Sequence, residues 1–316
     1  MEKKKDVLIK NRNKFSKYKT TIILIAMMLP AIIYVIVFHY IPLGGLVIAF
    51  KDYNAYQGLF DSPWAGMYGF KHFYNFVKIP DFWRILFNTL ALSSVSLLFS
   101  IILPISFALL INEIRNKHFK QTVQMVSYAP YFISTVVVIG MLFEFTNVES
   151  GCINKIITFF GGKPKAFMEE SGWFIALYVI TGVWQGLGWS AIIYIGALAN
   201  VDLNLHEAAV LDGAGRWKRI IHVNLPTVLP IMTIMLIMNI GNLLNVGFEK
   251  VYLMQTAGNI SASKIITTYI YEVSLQSNIA QYSYATAIGI FNSIVNIILL
   301  CISNLISKKT SETSLW

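Results

Sequence analysis

Long apolar stretches separated by shorter polar ones run along the chain from residue 21 onward. A helix that crosses a membrane needs about 20 mostly apolar residues, and six stretches meet this requirement. They cover residues 21–43, 86–111, 123–145, 173–198, 227–248 and 284–306. Pro130 and several Ser and Thr residues dilute the third stretch. The pattern predicts an all-α membrane protein with six transmembrane helices.

The composition and the charge distribution agree with this class. Of the residues, 56% are hydrophobic and 13% are charged, whereas soluble domains carry about 25% charged residues. The formal net charge is +9, and sixteen of the 25 basic residues fall in four segments that six spans would place on one side. These segments are both terminal tails and the loops that contain Arg115 and Arg216. Because Lys and Arg accumulate on the cytoplasmic side, both termini are predicted to be cytoplasmic. Anionic lipid in the bilayer then accounts for the charge, and no nucleic-acid partner is expected.

These assignments divide the chain into three parts. Residues 1–20 are predicted to form a basic cytoplasmic tail, residues 21–306 a six-helix transmembrane domain, and residues 307–316 a second cytoplasmic tail. The transmembrane domain includes a cytoplasmic loop at residues 199–226. On the opposite side, residues 49–76 are rich in Tyr, Phe and Trp. This is typical of an interfacial aromatic belt or of a docking surface for an external partner.

Polar residues recur at helical spacing inside several predicted spans. In the fifth, Asn239, Asn242 and Asn245 lie three residues apart. In the fourth, Gln185 and Trp189 share a helical face. Polar residues at membrane depth face the interior of the bundle or a cavity. Two interpretations remain open: hydrogen bonds that hold the helices together, and a pathway for a hydroxyl-rich ligand.

Ionisable residues are scarce inside the predicted spans. Glu144 is a lone acid near the outer end of the third, where it is either an interface residue or part of a substrate pathway. The sequence contains no chain of acids and histidines that would relay protons, and no filter-like Gly-Tyr-Gly. Both absences count against a proton-coupled carrier and a gated channel.

The sequence EAAVLDGAGRWKRIIHVNLPTVLP, which begins at Glu207, interrupts the apolar pattern. Asn204 is a candidate N-cap with Glu207 three residues later, the spacing of a capping box. Residues 207–211 favour a short helix, and Gly213 permits a sharp turn after it. A second short helix is expected to end at Pro226, which opens the fifth span.

The small apolar face of the first of these helices would fit a groove on another protein. A helix that lies on the membrane surface is the alternative. That alternative explains the basic cluster near Arg216. It does not explain the pair Ala208-Ala209 or the pair Asp212-Gly213.

The loop resembles the signature loop of ABC importer permeases, the EAA motif. The matching residues are Glu207-Ala208-Ala209, Asp212-Gly213-Ala214 and Val223-Asn224-Leu225-Pro226. Ile220 is a mild departure, because the family often has an aromatic residue in this second helix. Residues 29–54 and 240–255 resemble carbohydrate permeases of the maltose-permease class. Within that class they are most similar to the branch that handles alginate, rhamnogalacturonan and similar oligosaccharides.

The resemblance implies a type I ABC importer permease fold in a bacterial cell membrane, and the import of oligosaccharides. It makes the loop at residues 207–226 a coupling helix that docks on a separate ATPase. Its contacts are then expected from Glu207, Ala208, Ala209, Leu211, Asp212 and Gly213. The polar pattern inside the predicted spans, independently of the resemblance, makes Gln185, Trp189, Asn239, Asn242, Asn245 and Glu144 the candidates for the substrate pathway.

The resemblance also implies partners. They are a second, related permease subunit that completes a heterodimer, two cytoplasmic ATPase subunits, and an extracytoplasmic solute-binding lipoprotein. A Walker motif is absent from the sequence. ATP and Mg²⁺ are therefore expected on the ATPase subunits, with no cofactor and no enzymatic activity in this chain. A permease for another small solute, and an ATP-independent secondary carrier, are the alternatives; such carriers usually contain an internal repeat.

Overall fold

The computed structural model describes residues 2–310 and 314–315, with side chains for residues 18–19, 21–309 and 314–315. Within these residues the protein is helical, and the extended backbone pairing is confined to one bridge between Lys51 and Trp64. The predicted all-α class is confirmed. The chain divides into two compact units, Met1–His72 and Phe73–Trp316.

Five helices of the described chain are long and apolar enough to cross a membrane. They are Thr21–Phe50, Phe82–Asn112, Ser171–Leu198, Arg216–Ile240 and Tyr282–Lys309, called here the first, second, fourth, fifth and sixth spans. The third predicted stretch is a bent pair of helical segments, Lys117–Phe132 and Thr135–Thr146. Shorter helices cover Gly58–Asp61, Lys71–Lys78, Cys152–Phe159, Leu203–Leu211, Phe248–Met254, Ile260–Ser263 and Ile266–Tyr271, and a π turn covers Glu272–Gln276.

The first unit is dominated by one long helix. It begins at Glu2, continues as α-helix to Val35, and passes through a π turn at Ile36–Tyr40 before Pro42. The last part, Gly44–Phe50, is a 3₁₀-helix. The first span therefore extends seven residues beyond the predicted end at residue 43. In this unit, Lys51 turns inward and its ammonium donates hydrogen bonds to two backbone carbonyls, at 2.8 and 2.9 Å.

The core of the second unit lies between the second and fourth spans. Ile101, Ile105 and Ala108 of the second span pack with Ala191 and Ala197 of the fourth. Alanines on facing helices let two backbones approach closely, which is how membrane helices associate without a hydrophobic driving force between them. This close packing forms the centre of the second unit.

The third predicted span is bent. Its two segments meet at 97° around Ile133 and Ser134. Pro130 lies in a 3₁₀ turn before the break, and the hydroxyl of Ser134 accepts from the backbone N–H of Val137 to cap the second segment. The described chain has five spans, or six if the bent pair is one crossing. The cytoplasmic placement of both termini depends on that sixth crossing and remains a prediction.

The fifth span differs from its prediction at both ends. It begins at Arg216 in the loop and runs without a break to Ile240, so the prediction of a separate helix ending at Pro226 is wrong. A π turn at Ile220–Asn224 precedes Pro226. Such turns help a membrane helix accommodate proline, which has no N–H to donate. At the other end, the helix stops at Ile240 and the backbone remains non-helical up to Gly247.

Candidate functional site

Two regions carry the residues singled out from the sequence: the loop before the fifth span, and the interior of the second unit. In the loop, the first short helix is Leu203–Leu211. Its cap is Asp202, whose carboxylate accepts from the backbone N–H of Asn204 at 2.9 Å. The prediction of Asn204 as the cap is wrong, because the helix begins at Leu203, two residues earlier than predicted, and Asn204 already lies inside it.

The turn after this helix has the predicted glycine. Gly213 has φ +75°, the left-handed conformation that side chains disfavour. Its N–H donates to the carbonyl of Val210 at 3.0 Å, and the N–H of Ala214 donates to the carbonyl of Ala209 at 2.8 Å. These two bonds form a Schellman motif, which satisfies the last carbonyls of the helix. The turn therefore has a defined geometry set by its own backbone.

The helix Leu203–Leu211 contains no buried residue. Leu203 is 74% exposed and Leu211 87%. Glu207, Ala208 and Asp212 are also exposed, and Ala209 is half-buried. A shallow cleft of about 460 Å³ lies between this helix and Arg219. A helix that exposes this much apolar surface at every turn is typical of a protein-protein contact.

The second arm of the loop is anchored in the bundle. Ile220, the mild departure from the EAA motif, is buried against the core of the second and fourth spans. Asn224 is fully buried, and its amide donates to the carboxylate of Glu113 at the end of the second span, at 3.4 Å. The exposed helix is thus attached, through a four-residue turn, to the start of the fifth span. That start is held in the bundle by the packing of Ile220 and by the hydrogen bond of Asn224.

Inside the second unit, a cavity of about 280 Å³ lies between the second and fourth spans. Its polar wall consists of Ser96 and Ser100 from the second span, Gln185 and Ser190 from the fourth, and Lys250. This volume is close to the lower end of the ~300–1,000 Å³ range of small-molecule pockets. Hydroxyl, amide and ammonium groups on an otherwise apolar wall can bind a polar ligand by hydrogen bonds.

Gln185 and Trp189, predicted to line a pathway, also hold the bent pair. The amide of Gln185 donates to the carbonyl of Ile133 at 2.7 Å. Trp189 stacks on Tyr131, with ring centroids 4.5 Å apart and an angle of 5° between the planes. Of the two, Gln185 reaches the cavity wall. The interpretation as a hydrogen bond between helices therefore applies to Gln185, whereas Trp189 holds the bent pair by ring stacking.

The three asparagines predicted on one helical face do not share one. Asn239 lies in the last turn of the fifth span, and its amide donates to the carbonyl of Met235 at 2.8 Å. Asn242 and Asn245 lie in the non-helical segment that follows. The helical spacing fails because the helix ends at Ile240, before the pattern does.

Two asparagines of the sixth span bind the non-helical segment, one through its backbone and one through a side chain. The side chain of Asn296 accepts from the N–H of Leu244 at 3.0 Å. The amide of Asn292 donates to the side chain of Asn245 at 2.7 Å. Glu144 stands apart from these groups: it is exposed near the end of the bent pair and lies outside the cavity wall.

Sequence reasoning missed Lys250. It lies on the helix Phe248–Met254, after the fifth span, and its ammonium donates to the carbonyl of Tyr178 at 2.8 Å and sits 4.5 Å from the centre of that ring. Burial lowers the pKa of Lys250 to about 8. The signal in the sequence was a single lysine directly after the asparagine pattern, within the apolar run that ends at Met254.

Comparison with known proteins agrees with these features. The profile of the family described as binding-protein-dependent transport system inner membrane component matches residues 100–312. Protein LplB of Bacillus subtilis (strain 168) is 40% identical over 290 residues, which cover 92% of this chain and 90% of LplB. The polygalacturonan/rhamnogalacturonan transport system permease protein YteP of the same organism is 40% identical over 315 residues, 100% of this chain and 94% of YteP.

Among solved structures, the fold matches a chain of a bacterial ABC transporter involved in the import of the acidic polysaccharide alginate. The TM-score is 0.85 with 34% sequence identity, over 94% of this chain and 99% of that chain. The profile match, the two relatives and this structure agree with the exposed loop helix and the apolar spans. The chain belongs to the family of binding-protein-dependent transport system inner membrane components.

Proposed function

We propose that this chain is the permease subunit of an ATP-driven importer that moves oligosaccharides, the breakdown products of polysaccharides, into a bacterial cytoplasm. The observation that carries the proposal is the exposed helix Leu203–Leu211, built on a Schellman turn at the base of the fifth span. Its sequence matches the signature loop of ABC importer permeases. The names of YteP and of the alginate transporter support an oligosaccharide as the substrate.

In this proposal the loop is the contact with the ATPase. Leu203, Val210 and Leu211 supply exposed apolar surface, and Glu207 and Asp212 supply charge at its edge. Closure of two ATPase subunits around ATP and Mg²⁺ would displace this helix. Because the fifth span begins at Arg216, only the turn around Gly213 separates the displaced helix from the membrane domain. The push therefore reaches the fifth span directly.

The remaining partners follow from the same assembly. A second, related permease would complete a heterodimer in the membrane, and an extracytoplasmic solute-binding lipoprotein would deliver the substrate. A related alginate transporter has been solved in complex with an alginate pentasaccharide-bound periplasmic protein. In the first unit, the side chains of Tyr56 and Tyr68 are fully exposed. Aromatic residues are enriched in protein interfaces, so these two are candidates for the surface that receives the binding protein.

The substrate pathway in this proposal includes the cavity between the second and fourth spans. Ser96, Ser100 and Gln185 offer hydrogen bonds to hydroxyl groups. Asn242 and Asn245 lie in the non-helical segment after the fifth span, and irregular backbone at membrane depth is typical of segments that line a cavity. Trp189 would act by positioning the bent pair, and the exposed Asn239 would line the pathway at the end of the fifth span.

The decisive experiment purifies the chain from its own membranes in mild detergent, with the subunits that accompany it. We expect a second permease and an ATPase, and ATP hydrolysis that rises when the binding protein and one oligosaccharide are added. The same complex in liposomes should import that oligosaccharide only when ATP is present. A chain that purifies alone and transports a solute without ATP would show the function to be wrong.

A further inference from the structure

The cavity between the second and fourth spans contains one cationic side chain. Lys250 is held in its wall by the helix Phe248–Met254, whose Val251 and Met254 are fully buried in the core. Gly182 faces the ammonium, and a Cβ at that position would lie 3.1 Å from it. The position of the charge is therefore fixed by buried residues on one side and by a glycine on the other.

The hydrogen bonding of this ammonium is incomplete. A lysine has three N–H donors, and one of them binds the carbonyl of Tyr178. The face of the Tyr178 ring provides a second, weaker attraction. The four ion pairs recorded among the described side chains involve other residues. Lys250 is half-buried. Withdrawing a charge from water without a counter-ion is costly, and this burial lowers the pKa of Lys250.

The rest of the wall favours an anion with hydroxyl groups beside it. The hydroxyl of Ser96 is buried and has no hydrogen-bond partner among the described residues. Tyr178 and Lys250 are the titratable residues of the wall, so no carboxylate repels an anion there. A cavity of about 280 Å³ is small for an oligosaccharide and suits one sugar unit of it.

We propose that Lys250 is a specificity-determining residue that binds the carboxylate of a uronate unit, with Ser96 as a second donor in the same cavity. This inference rests on the proposed function, because it names the class of oligosaccharide that the permease accepts. An acidic sugar brings the counter-ion that Lys250 lacks. A neutral sugar of the same size leaves the ammonium unpaired.

A structural role for Lys250 is the competing explanation, since its bond to Tyr178 joins the helix Phe248–Met254 to the fourth span. The two explanations differ in what they predict for neutral substrates. Loss of a structural clamp lowers transport of every substrate alike. Loss of a carboxylate-binding group lowers transport of the acid alone.

The test uses the complete transporter in liposomes, with its binding protein and ATP, and two probes: tetragalacturonate and its methyl ester. Both probes have the same ring and linkage, and only the first is charged. Uptake is compared for the unchanged protein, Lys250→Gln, Lys250→Arg and the control Lys78→Gln. Lys78 also covers a tyrosine ring, at 4.8 Å, but it is exposed and outside the cavity.

The unchanged protein should import the acid faster than the ester. Lys250→Gln should lower uptake of the acid about tenfold or more, which corresponds to about 1.4 kcal/mol or more, because hydrogen bonds to charged groups are stronger than those between neutral groups. Uptake of the ester should change less than about twofold, because the ester has no carboxylate and loses no hydrogen bond between charged groups. Lys250→Arg should retain most of the preference, and Lys78→Gln all of it.

If Lys250→Gln leaves the ratio of acid uptake to ester uptake unchanged, whether or not both uptakes fall, the inference is overturned and the proposed function stays intact. A transporter that imports only neutral oligosaccharides would have the same consequence. ATP-dependent import of no oligosaccharide at all would instead count against the proposed function, and the inference would fail with it. Because one binding protein serves every variant, differences between variants arise in the permease.

Discussion

Gln185, in the middle of the fourth span, donates a 2.7 Å hydrogen bond to the backbone carbonyl of Ile133, at the point where the bent pair changes direction. This carbonyl lies between the two helical segments, which end at Phe132 and begin at Thr135. Replacing Gln185 by Leu should leave it unsatisfied, at a cost of about 1–3 kcal/mol. We expect a lower unfolding midpoint in detergent. Gln185→Glu, whose ionised carboxylate cannot donate a hydrogen bond, should also lower the unfolding midpoint. An unchanged midpoint in both variants would contradict the stabilising role of the hydrogen bond from Gln185.

Gly188, on the same helix, allows the bent pair to approach. A Cβ there would overlap the backbone carbonyl of Ser127. Overpacking of this kind costs about 1–3 kcal/mol, so Gly188→Ala should reduce the yield and thermal stability of the purified complex. Gly196→Ala is the matched control, because Gly196 lies on the same span with open space around it. Equal yield and thermal stability of the two variants would show that the bent pair can shift away from the fourth span to accommodate the extra methyl group.

Gly213 and Gly215 provide a matched pair in the loop. Gly213 has φ +75°, which proline cannot adopt, whereas Gly215 has φ −67°, close to the value that proline fixes. Gly213→Pro should abolish ATP-dependent uptake while the protein still inserts in the membrane, and Gly215→Pro should retain much more. Uptake is measured in liposomes, and insertion by the amount of membrane-extracted protein. Normal ATP-dependent uptake in Gly213→Pro would contradict the proposed role of this turn in coupling to the ATPase.

Asn296 stabilises the non-helical segment after the fifth span through its bond to the N–H of Leu244. Asn296→Leu should leave that buried N–H without a partner and destabilise the protein by about 1–3 kcal/mol. Asn239→Leu should be nearly neutral for stability, because Asn239 is exposed and bonds only within its own helix. Unfolding in denaturant with detergent present measures both, and the reverse order would contradict the assignment.

Lys250 predicts a pH dependence. Its pKa is lowered to about 8 by burial, so the ammonium loses its proton as the pH rises through that value. The ratio of acid to ester uptake should therefore fall between about pH 7 and 9. The free energy of unfolding should instead rise with pH. Above about pH 8 the unfolded chain binds more protons at Lys250 than the folded chain does, so deprotonation favours the folded state. In Lys250→Arg the uptake ratio should stay constant, since arginine keeps its charge.

The sequence alone predicted the features that depend on composition and on local backbone chemistry. The apolar stretches gave the spans to within a few residues for the second, fourth and sixth, and Gly213 was identified because only glycine readily adopts its conformation. Both are properties of short segments. They require no knowledge of which helices are neighbours.

The predictions that failed concern features that depend on tertiary contacts. The spacing of Asn239, Asn242 and Asn245 suggested one helix, yet Asn292 and Asn296 of the sixth span stabilise a segment that is not helical. Pro226 suggested a helix end, yet a π turn carries the helix past it. Lys250 could not be assigned, because its significance depends on Tyr178, 72 residues earlier in the chain, whose carbonyl accepts its hydrogen bond in the cavity wall.

The first and fifth spans each contain a π turn that ends two residues before a proline, Pro42 and Pro226. A π turn closes its hydrogen bond one residue later than an α turn. One extra residue rotates everything beyond it by about 100° around the helix axis, since an α-helix has 3.6 residues per turn. Removal of any one residue from Ile220–Asn224 would therefore swing the helix Leu203–Leu211 to a different side of the fifth span. The direction in which this helix faces is set by the number of residues in that turn as much as by their identity.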